Sequence, residues 1–167
     1  MSIYTESQAR IGMGTLVELG QNDATLSPPS VETFLSIGEV TDATKSGAKA
    51  GTHDSTNMQS IDGYKEFVSG LREAGTVKVT GNWVDPSVIE PTGFVSQDAV
   101  NALFDSGERR NYKIIVPPLP GEDTSPGFFS FSAIVESMGD SNFKPDGLIT
   151  YSFSLKISGK YSYTSTP

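Results

Sequence analysis

Four places in this chain hold residue types that could do chemistry or bind a ligand. His53-Asp54-Ser55 collects the imidazole, carboxylate and hydroxyl of an acyl-transfer triad. A triad needs those groups facing one another, and three consecutive residues cannot adopt that geometry. His53 is the only histidine, so a triad would have to borrow Ser or Asp from elsewhere in the chain; the plainer reading is a solvated loop histidine. Asp140, Asn142 and Asp146 offer oxygen ligands in a glycine-rich turn, as for calcium. They lack the alternate-position spacing and the bidentate Glu of an EF-hand loop, and Asp and Asn are ordinary turn formers. Lys45 and Lys49 could meet a phosphate, but the glycine spacing matches neither a phosphate loop nor a dinucleotide fingerprint. Trp83, Phe94, Phe128 and Tyr151 could stack a sugar, although aromatics at alternating strand positions are first of all core. No catalytic residue, metal or cofactor is expected, and the pattern points away from an enzyme.

The bulk properties narrow the rest. A chain of 167 residues and 17.8 kDa fits a single domain over 1–167 with a real core. It has no cysteine, which removes disulfide staples and thiolate metal sites. No leader pattern and no apolar run near the roughly 20 residues of a membrane span are visible, so synthesis and folding in a cytoplasm, without a membrane anchor, are expected. The net charge of −8 opposes tight binding to a nucleic-acid backbone, which needs Lys and Arg to displace counterions.

The elements available to position any site are mostly strands. Thr76 to Val84 alternates, with Val77, Val79 and Trp83 on one face and Thr76, Lys78, Thr80 and Asn82 on the other. Gly75 before it supplies a turn with free φ. Ile149, Tyr151, Phe153, Leu155 and Ile157 form a longer alternating face, continued by Tyr161 and Tyr163. Phe129, Phe131, Ala133 and Val135 form another. Shorter strands are predicted over Thr15 to Leu19, Val31 to Val40 and Tyr112 to Val116, with Gly38 marking a bulge or close approach. Tyr64, Phe67, Val68 and Leu71 fall at helical spacing, but Gly63, Gly70 and Gly75 interrupt any helix of useful length. One helix is predicted at Gln97 to Ser106, capped by Ser96 and Gly107, with Val100, Leu103 and Phe104 as its apolar stripe. The fold class is mainly β, with six or seven strands packed as a β-sandwich or partly closed barrel and the short helix covering an open edge or face. Residues 1–12 read as a flexible arm. Thr41 to Ser60 reads as a long polar loop that cannot build a core and would need a partner to order it.

The block from Asp54 to Trp83 carries a resemblance. Its Asp54-x-Thr56, then Tyr64-Lys-Glu-Phe67-Val-Ser-Gly70-Leu71-Arg-Glu-Ala-Gly75-Thr-Val77, runs straight into the strand that ends at Trp83. It resembles the major tail tube proteins of long-tailed, lambda-like bacteriophages. The likeness extends to Phe34 to Val40, Ala99 to Phe104, Pro117 to Gly121, Phe129 to Val135 and Ser154 to Lys160. Phe67, Gly70, Leu71, Gly75, Val77 and Trp83 form its signature strand and turn. The resemblance implies a structural virion protein whose hexameric rings stack into a hollow tube, each subunit adding strands to one β-barrel around the lumen. It also implies passage of DNA to the host cell without sequence-specific binding. Implied partners are other copies of the chain, tail tip and terminator proteins, and a tape measure protein in the lumen during assembly. The implied setting is the virion tail, assembled in the bacterial host cytoplasm. The inter-subunit contacts that the resemblance implies fall on the arm, on the 41–60 loop through Lys45, Lys49, His53, Asp54, Thr56 and Met58, and on the Pro118 to Pro126 hairpin tip.

Composition adds that a lumen lined by Asp and Glu would keep DNA, with about one phosphate charge per 1.7 Å of duplex, off the wall. Two other readings fit the residues. One is the tube protein of a related injection or gene-transfer apparatus. The other is a monomeric β-sandwich binding module, such as a carbohydrate-binding or adhesin domain.

Overall fold

The computed structural model describes residues 14–23, 32–118, 124–139 and 142–166. The expected arm over 1–12, part of the 118–126 hairpin tip, and Asp140 lie outside the described residues. In chain order come β1 (Leu16–Asp23), β2 (Phe34–Ser36), β3 (Val40–Ser46), β4 (Lys49–Asp54), β5 (Phe67–Glu73), β6 (Thr76–Asn82), α1 (Pro86–Ile89), α2 (Gln97–Ser106), β7 (Arg110–Ile115), β8 (Gly127–Met138), β9 (Thr150–Ile157) and β10 (Ser162–Ser165). Eight strands form one antiparallel sheet in the order β2-β1-β7-β8-β9-β6-β3, with β10 also beside β8; β4 and β5 pair only with each other.

The connection from β2 to β3 dictates the shape. These strands stand at opposite edges of the sheet, yet only Ile37, Gly38 and Glu39 separate them. So short a link spans at most about 14 Å even when fully extended, whereas a flat seven-strand sheet would be about 29 Å across. The sheet must therefore curl until its edges meet. Backbone bonds hold the meeting point: Ile37 N–H donates to Val17 O (2.8 Å), Gly38 N–H to Val95 O (3.1 Å), and Asn82 N–H to Glu39 O (2.9 Å). A side chain at Gly38 would run into Ile89, so the close approach expected there is real. No ladder joins β2 to β3, and the architecture is a partly closed barrel rather than two stacked sheets.

The barrel interior follows from the period-two pattern. β9 buries Tyr151, Phe153, Leu155 and Ile157; β6 buries Val77 and Val79; β8 buries Phe131, Ala133 and Val135. Their alternates Thr150, Ser152, Ser154, Thr76, Thr80, Ser130 and Ser132 line the opposite, partly exposed face. α2 closes the core with Val100 and Leu103. Its ends are as predicted: Ser96 Oγ accepts from Ala99 N–H at 3.3 Å, and Gly107, at φ 66°, donates to Leu103 O at 3.0 Å. At ten residues such a helix is marginal alone, and packing against β8 holds it.

Several expectations need correction. There are ten strands among the described residues, not six or seven. The surplus comes mostly from the 41–60 stretch and from residues 67–73, whose apparent helical spacing gives way to cross-strand pairing. Asp85-Pro86, expected as a turn, opens the short helix α1, with Asp85 Oδ1 accepting from Ser87 N–H at 2.9 Å. The alternation through Tyr161 and Tyr163 is broken: between the pairs Ile157↔Ala133 and Ser162↔Ser130, four residues face two. That bulge brings Tyr161 onto Phe129 and Phe131, at ring separations of 5.3 and 5.4 Å. Of the four aromatics read as core, Tyr151 is buried, but Trp83 and Phe94 are 38% and 41% exposed: Trp83 lies just past the end of β6, and Phe94 follows a stretch, 86–92, that buries no residue.

Tyr151 ties the barrel wall to the corner, its buried hydroxyl donating to Gly38 O at 3.0 Å. Burial, aided by the charge of Glu39, raises its pKa from 10.0 to about 12. The neutral phenol is the form the fold favours, so this stability is complete below pH 10 and is lost as pH rises towards 12. Tyr151→Phe is expected to cost about 1–3 kcal/mol in urea unfolding by orphaning the Gly38 carbonyl. It should also flatten the alkaline loss of stability; an unchanged midpoint would show that this bond does not hold the corner.

Candidate assembly surface

β3 and β6 pair with Ser46 opposite Thr76, and β4 and β5 pair with Lys49 opposite Glu73. The four strands are therefore one long hairpin, interrupted where Gly47-Ala48 faces Ala74-Gly75. Gly47 and Gly75 have φ of 77° and 91°, a region L-residues avoid. A Cβ on Gly75 would also collide with the Ser46 carbonyl oxygen. This double-glycine joint lets the hairpin leave the barrel as a separate two-stranded ribbon.

Within the described chain the ribbon's extensive packing is between β4 and β5 themselves. A lone two-stranded ribbon is at best marginally stable in water. Yet this one displays Phe67 (60% exposed), Val68 (55%) and Leu71 (93%), with Tyr64 and Met58 bare near its tip. Side-chain bonds close the tip. Asp54 Oδ1 accepts from Thr56 N–H at 2.9 Å, Thr56 Oγ1 accepts from Glu66 N–H at 2.9 Å, and Asn57 Oδ1 accepts from Gln59 N–H at 2.8 Å. The hydrogen bonds from the Thr56 hydroxyl and amide hold the Asp54 carboxyl below its usual range.

The base is electrostatic. Glu73 accepts from Lys156 Nζ at 2.6 Å and lies 3.3 Å from Lys49 Nζ. The bond to Lys156 and then that to Lys49 lower its pKa, and the bond to Glu73 raises that of Lys156. Lys45 Nζ sits 4.9 Å above the Tyr161 ring. Around them opens a cleft of about 700 Å³ lined by Lys45, Lys49, Arg72, Lys160 and the single carboxylate of Glu73.

The 41–60 stretch is thus not a structureless loop. Cross-strand pairing orders its polar residues, residues 41–46 against β6 and residues 49–54 against β5, and neither pairing is visible from the stretch itself. Lys45 lies next to the end of β3, Lys49, His53 and Asp54 lie along β4, and Thr56 and Met58 sit at the tip. His53 and Asp54 are successive strand residues, so their side chains leave opposite faces. Of the signature residues, Val77 is core, Gly75 is the joint, Phe67 and Leu71 are bare, and Trp83 is half-exposed beyond β6. Gly70 faces Gly51 across the ribbon's irregular register, where a side chain would crowd His53. Arg72 and Lys160 escaped sequence reasoning, since 88 positions of chain separate two residues that the fold brings to one cleft. No group of three or more His, Cys, Asp or Glu that could hold a metal occurs among the described residues.

A curled barrel that extends a coreless, apolar ribbon has the build of an assembly subunit rather than of a solitary domain. Residues 17–164 match the family described as Lambda phage tail tube protein, TTP, and the chain belongs to that family. No curated protein matches it. The fold is that of a chain in the tail of an empty gene transfer agent particle refined with C6 symmetry, at 20% identity and TM-score 0.61, covering 93% of this chain and 99% of that one. It is also that of the SPP1 tail tube, at 15% identity and TM-score 0.57, covering 90% and 77%. The tube-terminating cap of the anti-feeding prophage shares it at 13% identity and TM-score 0.64, covering 99% and 100%. The chain is a structural tail tube protein of phage-like particles.

Two consequences can be measured. Because the Glu73 pKa is depressed, its pairing is complete above the ordinary carboxylate range and is lost as pH falls through the lowered value. Amide protection in β4 and β5 should drop on acidification in the wild type and be low and nearly pH-independent in Glu73→Gln; identical profiles would exclude the ion pair as the anchor. Gly75→Ala should cost more than about 1 kcal/mol in thermal unfolding, from its positive φ alone, and an unshifted melt would contradict a rigid joint.

Proposed function

We propose that this chain is the repeating subunit of a hollow tail tube, forming hexameric rings that stack and let DNA pass to the host cell. The observation that carries the reading is the ribbon β4–β5, which exposes Phe67, Val68 and Leu71 with no core of its own. Such a ribbon is completed by a neighbouring copy, and ring closure removes the open edges that β2 and β3 leave. Lys45, Lys49, His53, Asp54, Thr56 and Met58 contribute through the same excursion: Lys49 anchors it, Asp54 and Thr56 shape its tip, and Met58 offers apolar contact. Tail tip, terminator and tape measure proteins complete the set of partners. The work is structural rather than catalytic, in the virion tail, after assembly in the host cytoplasm. A gene-transfer or injection particle would use the same subunit physics. A monomeric binding module fits less well, because it would leave the ribbon bare.

In this arrangement the lumen wall is the polar face of β6, β9 and β8. That face is rich in Ser and Thr and carries Lys78, Lys156 and Glu136, so DNA would slide along hydroxyls with a few charges of both signs rather than along a mainly acidic lining. The acids gather elsewhere: Val84 to Glu108 holds five carboxylates and no Lys or Arg.

Purified wild-type protein should form rings and tubes by electron microscopy as concentration rises. Leu71→Asp should stay monomeric with an unshifted melting temperature, because Leu71 is 93% exposed in the free subunit. A wild-type particle that remains a monomer at high concentration would remove the reading.

A further inference from the structure

Two surfaces of this chain are complementary to each other. One is the ribbon with its base: Leu71 is bare, and Arg72, which follows it in β5 and leaves the other face, lines the base cleft with Lys160. Both cations are exposed and form no ion pair among the described residues. In a chain of net charge −8 this is a concentrated cationic site. The other is a groove of about 530 Å³ between α2 and the β1–β2 edge, with Leu19, Leu35, Phe94, Ala99, Ala102 and Leu103 in its lining. Along the helix beside it stand Asp98 and Asp105. Seven residues apart, they share one face about 10 Å in length. Both are exposed and form no ion pair among the described residues. The acids nearer the groove are already engaged: Glu90 accepts from Ser96 Oγ at 2.5 Å, and Glu108 lies 2.9 Å from Arg110 Nε.

We propose that the ribbon of one copy seats in this groove on a second copy, Leu71 filling it while Arg72 and Lys160 meet Asp98 and Asp105. The inference rests on the tube reading and names the surface that completes the ribbon. The occupant is a second copy because this chain presents both halves of the match, an apolar centre with cations and an apolar centre with acids. The two surfaces differ, so the contact is heterologous. Each copy offers one of each, and association propagates rather than stopping at a dimer. Opposite charge at the rim sets register and speeds encounter, while the apolar centre supplies most of the affinity. Assembly should accordingly weaken with added salt.

Charge reversal tests the pairing. Arg72→Glu with Lys160→Glu, and separately Asp98→Lys with Asp105→Lys, alter only exposed side chains and should leave the circular dichroism spectrum unchanged. Each pair should raise the concentration needed for assembly, followed by sedimentation and electron microscopy, at least about tenfold. All four substitutions in one chain should restore assembly to near the wild-type concentration. Wild-type protein that stays monomeric removes the tube reading and this inference with it. Wild-type protein that assembles, while the reversals have no effect or the fourfold variant is not rescued, removes the pairing alone. The latter is also the outcome expected if another segment of the chain occupies the groove.

Discussion

The three-residue link between β2 and β3 constrains everything else in the described structure. It joins the two edges of a seven-strand path, and covalent reach allows this only if the sheet curls on itself. The curl produces an inside, which Val77, Val79, Phe153 and Leu155 fill to complete burial, and an outside on which Ser and Thr suffice. α2 then serves as the cover for the core rather than as a free-standing element. The Tyr151 hydroxyl reaches the same corner from β9, so the central wall and the edge connection depend on one another.

The same constraint explains why the ribbon projects. β3 is an edge strand bonded to β6 on one side only. When its chain continues past Ser46, the barrel offers no further apolar surface, and the double-glycine joint turns the hairpin outward. An uncovered strand pair with bare apolar side chains is a liability in a monomer, and in the proposed tube it is the part that a neighbouring copy would cover. At the joint a glutamate is held by two lysines, so the base of the ribbon is made of charges rather than apolar packing.

Charge is distributed along similar lines. The excess of acids is not spread evenly: the α1–α2 region holds carboxylates without a single Lys or Arg before Arg109, whereas the ribbon base gathers Lys45, Lys49, Arg72 and Lys160. Net charge alone cannot reveal this segregation. Within the described chain, the exposed face of the central strands is mostly Ser and Thr.

What the sequence determined by itself is whatever depends on neighbours along the chain. The strands at Thr76 to Asn82 and Thr150 to Ile157 show their buried faces through strict alternation. Ser96 and Gly107 bracket α2 because caps act within a turn of the helix, and the order of motifs from Asp54 to Trp83 carried the family. Tertiary structure alone decided whatever depends on pairing across distance. Residues 49–54 look like polar loop because a ribbon strand ordered by its partner, without a core, shows no hydrophobic period, and 41–46 look so because this edge strand turns little more than Ala43 to the core. The helical spacing of Phe67 and Leu71 was equally uninformative, since both side chains project from a strand with no buried face. The choice of a curled sheet over a sandwich, and the meeting of Arg72 with Lys160, came from strand order, which local patterns do not encode.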